Sequence, residues 1–529
     1  MNFAWDNLPG ALESKLLLGT TGKMHLASLA RAALTAESFV SMGADMLLAA
    51  WEADPLDGML AGQLVRFLPE NDPSGLRALF AGLAERWEPD EDVVRLRQQQ
   101  KADAMLDVLE HTLQGDSPTL FALQCAVELG PAHHPVSWAS GFFERAWPEA
   151  LSPALEYARS FLDLLAGDAE HALDRCRGIR SRLPLPGVLA RIGECEYRLG
   201  NPDRALESWR QALAQRPWDV SLLLKVHDVA HGLDRAVHAL DGGVNIFLYT
   251  FDKAAELDQC LAALAESELH GGRITVLDNG CADDTAAVLD TWAANLGGDR
   301  FKTVTLPVNV GAPAARNWLM RGPDAASRDW TVYLDDDALV PPDWLGRLGA
   351  AARAYPDAGA WGCRVVDARL PHVIQNADLH PRPDYAREGE FPSGETSDLH
   401  HQTYDAGGFS YLRPCASVTG CCHLFRTETL LASGDFDLAF SPSQFDDLDH
   451  DLCLVMDGRI PVYQGHLAVR HMKRTGNLAQ QGGMAYISGQ ANHAKLKAKH
   501  AENWERLRRL AYDALARDIM LKDDALAAG

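Results

Sequence analysis

The feature that most constrains this chain is a change of period at Asp241-Gly242-Gly243. Upstream, over residues 8–240, Ala, Leu, Glu and Arg recur at helical spacing with breaks only at Asp54-Pro55, between Pro69 and Pro73, at Ser117-Pro118 and at Gly130-Pro131; no strand pattern competes. Downstream, short apolar runs alternate with helical ones. Strands are predicted over 244–250, 273–277, 303–306 and 331–334, with helices over 253–265, over 284–296 and after Pro313. That alternation predicts a doubly wound, mainly parallel α/β sheet. In open sheets of this kind ligands bind beyond the carboxyl ends of the strands, and here those ends are polar: Thr250 and Asp252, Asp278 and Asn279, Asn309 and Gly311, then Asp335-Asp336-Asp337.

The last of these ends is chemically the most demanding. Three adjacent carboxylates repel by roughly 4 kcal/mol per close pair at about 4 Å in an effective dielectric near 20, so protonation or a cation is required. A hard divalent ion, Mg²⁺ or Mn²⁺, suits carboxylate oxygens and shared phosphates, and no His/Cys cluster adjoins these acids as zinc would want. An acidic turn or a helix N-cap before Pro341-Pro342 would account for the same residues without a ligand.

At 529 residues the chain exceeds one core. The expected divisions are an all-α region at 1–240, an α/β domain at 244–475 and a helical tail at 476–529. A net charge of −24 argues against nucleic-acid or anionic-membrane partners. Ten scattered cysteines without a CxxC point to reduced thiols, hence a cytoplasmic location. The N-terminus lacks a signal-peptide pattern, and no apolar run approaches 18 residues, so no transmembrane segment is expected.

Within the helical region Gly167-Asp-Ala-Glu-His-Ala-Leu173 is answered by Gly200-Asn-Pro-Asp-Arg-Ala-Leu206. The stretch from Gly193 to Gly200, followed by Ala205, Trp209, Ala212 and Pro217, resembles a tetratricopeptide repeat, whose period is about 34. Such repeats stack into surfaces that bind peptides or partner subunits; a helical cap that only supports the next domain is the competing reading.

In the α/β region, Asp278-Asn-Gly-Cys-Ala-Asp283, Asn309-Val-Gly311-Ala-Pro-Ala-Ala-Arg316-Asn317 and Leu334-Asp-Asp-Asp337 resemble three successive motifs of family 2 glycosyltransferases with the A-type (GT-A) fold. The resemblance implies a Rossmann-like mixed sheet and inverting transfer of a sugar from a nucleotide-sugar donor, a UDP-sugar first among them. It places Thr250, Asp252 and Asp278 at the nucleobase and ribose, with Asn279 beside them. It places Asn309, Gly311 and Arg316 around the donor, Arg316 near the diphosphate or sugar. In the DXD-type acidic motif it implies Asp335 at the ribose or metal, Asp337 on the metal, and Asp336 as a middle donor-side residue. His471 would be a third metal ligand, and Lys473 and Arg474 would meet the diphosphate.

An inverting transfer needs one general base for the acceptor hydroxyl. The cluster Phe445-Asp446-Asp447-Leu448-Asp449-His450-Asp451 resembles the family's base-bearing acidic segment in two registers. One pairs Asp446 with Asp447 and makes Asp447 the base, which is preferred; the other makes Asp449 the base. Helix capping alone explains two such acids. The irregular stretch 367–413 is read as the acceptor-side loop, with His400 and His401 solvated. Basic residues of the tail, including Lys495, Lys497 and Lys499, either cover the donor phosphates, dock on the acidic helical domain, or form a solvated face. Joining a repeat domain to a transferase suggests a protein acceptor, such as a surface or flagellar subunit; glycan and lipid-linked acceptors, or a non-catalytic nucleotide-binding scaffold, are the alternatives.

Overall fold

The structure, a computed structural model, describes residues 5–382, 395–473 and 484–528. It comprises two compact units, one of Met1–Val226 with Gln402–Gly408 and one of His227–His401 with Phe409–Gly529.

The first unit contains helices and no strand among the described residues. Its core is built from leucines and alanines at helical spacing around Trp51 and Phe80, whose rings meet edge to face at 4.7 Å. The repeated glycines have a physical reason: Gly167 and Gly200 follow helix ends at φ of +82° and +79°, a left-handed conformation that glycine adopts without a Cβ penalty. Within the last repeat-like unit, helices Pro186–Arg198 and Pro202–Gln215 interlock through Gly193. A Cβ there would lie 2.4 Å from the Trp209 ring, whose Nε1 donates to the Ala190 carbonyl at 3.0 Å. The segment Gln402–Gly408 is bonded into this unit. Gln402 Oε1 accepts from His25 N at 3.0 Å, Lys225 Nζ donates to the Gly407 carbonyl at 3.0 Å, and Tyr404 Oη donates to the Glu128 carbonyl at 2.7 Å.

Among the described residues the second unit has ten strands: β1 Val244–Thr250, β2 Arg273–Asp278, β3 Phe301–Thr305, β4 Trp330–Leu334, β5 Ala338–Leu339, β6 Trp361–Asp367, β7 Ile374–Asn376, β8 Leu412–Pro414, β9 Cys422–Arg426 and β10 Val462–His471. Their order is β3-β2-β1-β4-β9-β6-β10-β5, with β7 on β6 and β8 on β10. The first half, β3 to β4, is parallel, as is β6 with β10. The expectation of a mainly parallel sheet is corrected by β9, which enters antiparallel between β4 and β6. Periodicity reports that a strand is buried and is silent on its direction. The sheet is therefore mixed, covered by apolar helices such as Ala254–Glu266 and Trp344–Ala354. Two tail helices, Met484–His500 and Trp504–Ala528, complete the unit.

Two expectations for the loops change. The 367–413 stretch contains β7, a 3-10 turn over Leu399–Gln402 and the start of β8. In it His400 is buried rather than solvated, and burial holds its pKa down at about 3. Of the tail lysines, Lys497 pairs with Glu395, and Lys499 with Asp437 and Asp449, all in the second unit. Arg474 lies outside the described residues. All ten cysteines are free thiols, and no described helix is long and apolar enough to cross a membrane.

Candidate active site

A cavity of about 720 Å³ opens at the carboxyl ends of β1, β2 and β4, a size suited to a nucleotide-sized ligand. Of the residues singled out by sequence, Asn279, Asn309, Gly311, Arg316, Asp335, Asp336, Asp337, Asp446, Asp447 and His471 line it, as does Lys473. Thr250, Asp252, Asp278 and Asp449 do not. Asp278 is buried and accepts from Cys281 N at 2.9 Å, and exposed Asp252 accepts from Ala282 N at 2.7 Å, so both carboxylates shape the turns beside β2.

Strand pairing explains the acidic end. β4 delivers Asp335-Asp336-Asp337 into the short β5, which pairs antiparallel with β10 so that Ala338 faces His471. On the other side Leu334 pairs with Cys422, and Asp335 N donates to the Cys421 carbonyl at 3.0 Å. Ligand atoms of Asp335, Cys421 and His471 consequently lie within 4.8 Å of one another. His471 Nε2 is 2.9 Å from Asp337 Oδ1 and 3.6 Å from Asp335 Oδ2, while its Nδ1 donates to Gln375 Oε1 at 2.8 Å. Gln375 is itself oriented by donating from Nε2 to the Lys473 carbonyl at 2.9 Å. With an amide oxygen fixing the proton on Nδ1, Nε2 is the nitrogen aimed at the carboxylates, the arrangement of a metal-binding imidazole. Asp337 Oδ1 is buried with no aligned hydrogen-bond donor. The residues present therefore fit a divalent cation.

Lys253, which sequence reading passed over, is 2.9 Å from both Asp336 Oδ1 and Asp337 Oδ2. Its signal was its place directly after the polar end of β1. Burial pushes the Asp336 carboxyl up to about 6 against the attraction of Lys253. For Asp337 burial acts the same way but is outweighed by His471 and Lys253, which hold it well below the ordinary range. Gln375 had no sequence signal, because it sits on a three-residue strand inside an irregular stretch.

Arg316 forms the opposite chemical pole. It is 3% exposed, its Nε lies 3.5 Å from Asp446 Oδ2, and its Nη1 has no partner. Gly420 permits this: a Cβ there would lie 2.2 Å from Arg316 Nη2. A buried guanidinium lining a cavity suits an anionic ligand.

The helix Asp446–Met456 supplies the remaining acids. Asp451 anchors it, accepting from Ser417 Oγ, Val418 N and His423 Nε2 at 2.8–3.0 Å. Asp447 is half-buried at the cavity wall; its Oδ2 accepts from Gly420 N at 2.6 Å and its Oδ1 from Leu448 N at 2.9 Å. Burial raises the neighbouring Asp446 carboxyl to about 6, against Arg316 and helped by Asp447. Asp449 faces away from the cavity, bonded to Lys499 and His500 at 2.8 Å each.

With this geometry in place, comparison with known proteins is informative. The family described as "Glycosyl transferase family 2" matches residues 246–430. A PGL/p-HBAD biosynthesis glycosyltransferase of Mycobacterium bovis (strain BCG / Pasteur 1173P2) is 31% identical over 107 residues, 20% of this chain and 40% of that relative. The aligned part thus spans two fifths of the curated relative's length. Among solved structures, the mannosyltransferase PcManGT from Pyrobaculum calidifontis, in complex with GDP-Man and Mn²⁺, is 18% identical with a TM-score of 0.37, covering 61% of this chain and 87% of that one. GalNAc-T7 with UDP, GalNAc and Mn²⁺ is 10% identical with a TM-score of 0.38, covering 55% and 54%. Residues 246–430, the part of the α/β unit that builds β1 to β9, are a glycosyl transferase family 2 domain.

Proposed function

We propose that this protein is a metal-dependent, inverting glycosyltransferase that moves a sugar from a nucleotide diphosphate, a UDP-sugar first, onto an acceptor hydroxyl. One observation carries this reading: a single cavity joins the Asp335/Asp337/His471 set, the partly unpartnered Arg316 and the half-buried Asp447. When bound by Asp335, Asp337 and His471, Mn²⁺ or Mg²⁺ supplies charge stabilisation for the departing diphosphate. Arg316, which lines the cavity, supplies a fixed positive charge for phosphate oxygens. Asn279, Asn309 and Gly311 line the donor side, and Thr250, Asp252 and Asp278 shape the nucleoside end. Asp447, whose Oδ2 is oriented by Gly420 N, takes the proton of the acceptor hydroxyl as general base. Lys253 keeps two of the three strand-end carboxylates from repelling one another.

The acceptor in this proposal is a protein engaged by the helical unit, in the cytoplasm where its thiols stay reduced. Radiolabel from the donor entering protein in a source lysate supports that part; label entering lipid or glycan fractions replaces it.

The first test is isothermal titration of UDP, GDP, CDP and dTDP, with and without Mn²⁺, against the native chain and Asp337→Ala. Tight binding of one nucleotide that needs both Mn²⁺ and Asp337 is expected, followed by turnover of the matching sugar nucleotide. No Mn²⁺-dependent binding of any of the four overturns the transferase in favour of a scaffold.

A further inference from the structure

The tail lies beyond the family match, yet its first helix touches the segment that leads into the candidate base. That segment, residues 440–445, ends in two left-handed residues, Gln444 at φ +77° and Phe445 at φ +71°, directly before Asp446 and Asp447. Residues with a Cβ hold this conformation only where their surroundings impose it. On one side the imposing group is Ala312 N, which donates to the Pro442 carbonyl at 2.7 Å. On the other side it is the tail. Asn492, 1% exposed, turns its Nδ2 onto the carbonyls of Phe440, Ser443 and Gln444 at 2.7, 2.9 and 3.2 Å. Its Oδ1 is in turn held by Lys495 Nζ at 3.0 Å, and the same ammonium donates to the Ala439 carbonyl at 2.7 Å. Phe445 stacks on His493, with ring centroids 5.3 Å apart and planes 15° from parallel.

We propose that Asn492, backed by His493, is a positioning residue for sugar transfer: it locks the left-handed Gln444-Phe445 turn and so fixes where Asp447 points. The proposal rests on the reading of Asp447 as the base. Asn492 bonds to none of the cavity-lining strand ends but to Ser443 and Gln444, which line the cavity beside Asp446 and Asp447, so its loss is expected to displace the base more than the nucleotide. A second link runs from the same tail to the acceptor-side stretch, through Lys497 with Glu395 at 3.1 Å and Tyr512 Oη with the Pro381 carbonyl at 2.9 Å. The tail therefore ties the base-bearing turn to the loop on the acceptor side.

The test uses full-length Asn492→Leu, Asn492→Leu/Gln444→Gly, His493→Ala and Asp447→Asn. Each is assayed for UDP binding in Mn²⁺ by titration and for turnover of whichever of UDP-glucose, UDP-N-acetylglucosamine, GDP-mannose and dTDP-rhamnose the native chain hydrolyses fastest. Binding of the nucleotide of that donor replaces UDP if it is not a UDP-sugar. Asn492→Leu is expected to lower kcat at least tenfold with the nucleotide Kd within twofold. Gln444→Gly, which removes the need for a clamp by making left-handed backbone easy, is expected to restore at least a third of the lost rate. A kcat for Asn492→Leu within twofold of native, or a loss that Gln444→Gly leaves unchanged, overturns the proposal. If Asn492→Leu does not fold, His493→Ala decides: a threefold or larger fall in kcat at unchanged Kd supports the clamp, and an unchanged kcat overturns it. Full activity in Asp447→Asn instead removes the base assignment on which the proposal stands.

Discussion

Replacing Asp446 by Asn tests the electrostatics of the site without touching the proposed base. The Asp446 carboxyl is 3% exposed and burial raises it from the ordinary 3.8 to about 6. The folded protein therefore binds this proton more tightly than the unfolded chain. Between about pH 4 and 6 the folded state holds more protons, stability falls as pH rises, and above about 6 the full cost of the buried charge is present. A displacement of about two pH units corresponds to roughly 3 kcal/mol at 1.36 kcal/mol each. The attraction of Arg316, 3.5 Å away, is already contained in that figure, because it too acts only on the charged form. The amide of the Asp446→Asn variant carries no charge at any pH, so the stability gap between variant and native protein should widen by roughly 2 kcal/mol from pH 4.5 to pH 8, the rest of the cost having accrued below pH 4.5. At about 2–4 °C per kcal/mol for a domain of this order of size, that is a widening of roughly 4–8 °C. Calorimetric melts in EDTA at several pH values, following the transition that nucleotide and Mn²⁺ shift when added back, measure it. A gap that stays constant or narrows toward pH 8 refutes the reasoning and means Arg316 outweighs burial.

Asp447→Asn should lower kcat by about 10²–10⁴-fold with the nucleotide Kd within twofold; equal loss in both would move Asp447 from base to donor contact. Gln375→Leu, which removes the acceptor behind His471 Nδ1, should weaken Mn²⁺ in titrations of the nucleotide complex by about 10–100-fold, and unchanged affinity would take His471 out of the ligand set. Gly193→Ala forces a Cβ to 2.4 Å from the Trp209 ring and should destabilise the helical unit by about 1–3 kcal/mol, read by urea denaturation. A midpoint within error of native would mean that the Gly193–Trp209 interlock yields freely.

Much of the parallel half of the sheet was legible because β1, β2 and β4 are short apolar runs with polar ends, and both properties are local. The strands that complete the cavity were less so. β9 reads like its parallel neighbours, and its reversal comes from chain connectivity that no residue in Cys422–Arg426 announces. The same limit hid Lys253 and Gln375, each unremarkable in its own segment and meaningful only against Asp336, Asp337 or His471 across the fold. Sequence left Asp447 and Asp449 as alternatives because two registers preserve the same residue types. The structure separates their surroundings through a distant partner: Asp449 is bonded to Lys499 and His500, some fifty positions further along the chain.

The assignment of Gln402–Gly408 to the helical unit has a consequence for biosynthesis. Chains emerge N-terminus first, and domains generally fold as units during synthesis. Residues 1–226 leave the ribosome early, but the segment that bonds to His25, Glu128 and Lys225 follows only after most of the α/β sheet has been made. The helical unit is thus the first to begin folding and cannot finish until residue 408 is available. A nascent chain stalled before that point should hold a loosened helical unit, more open to protease than the same residues in the released protein.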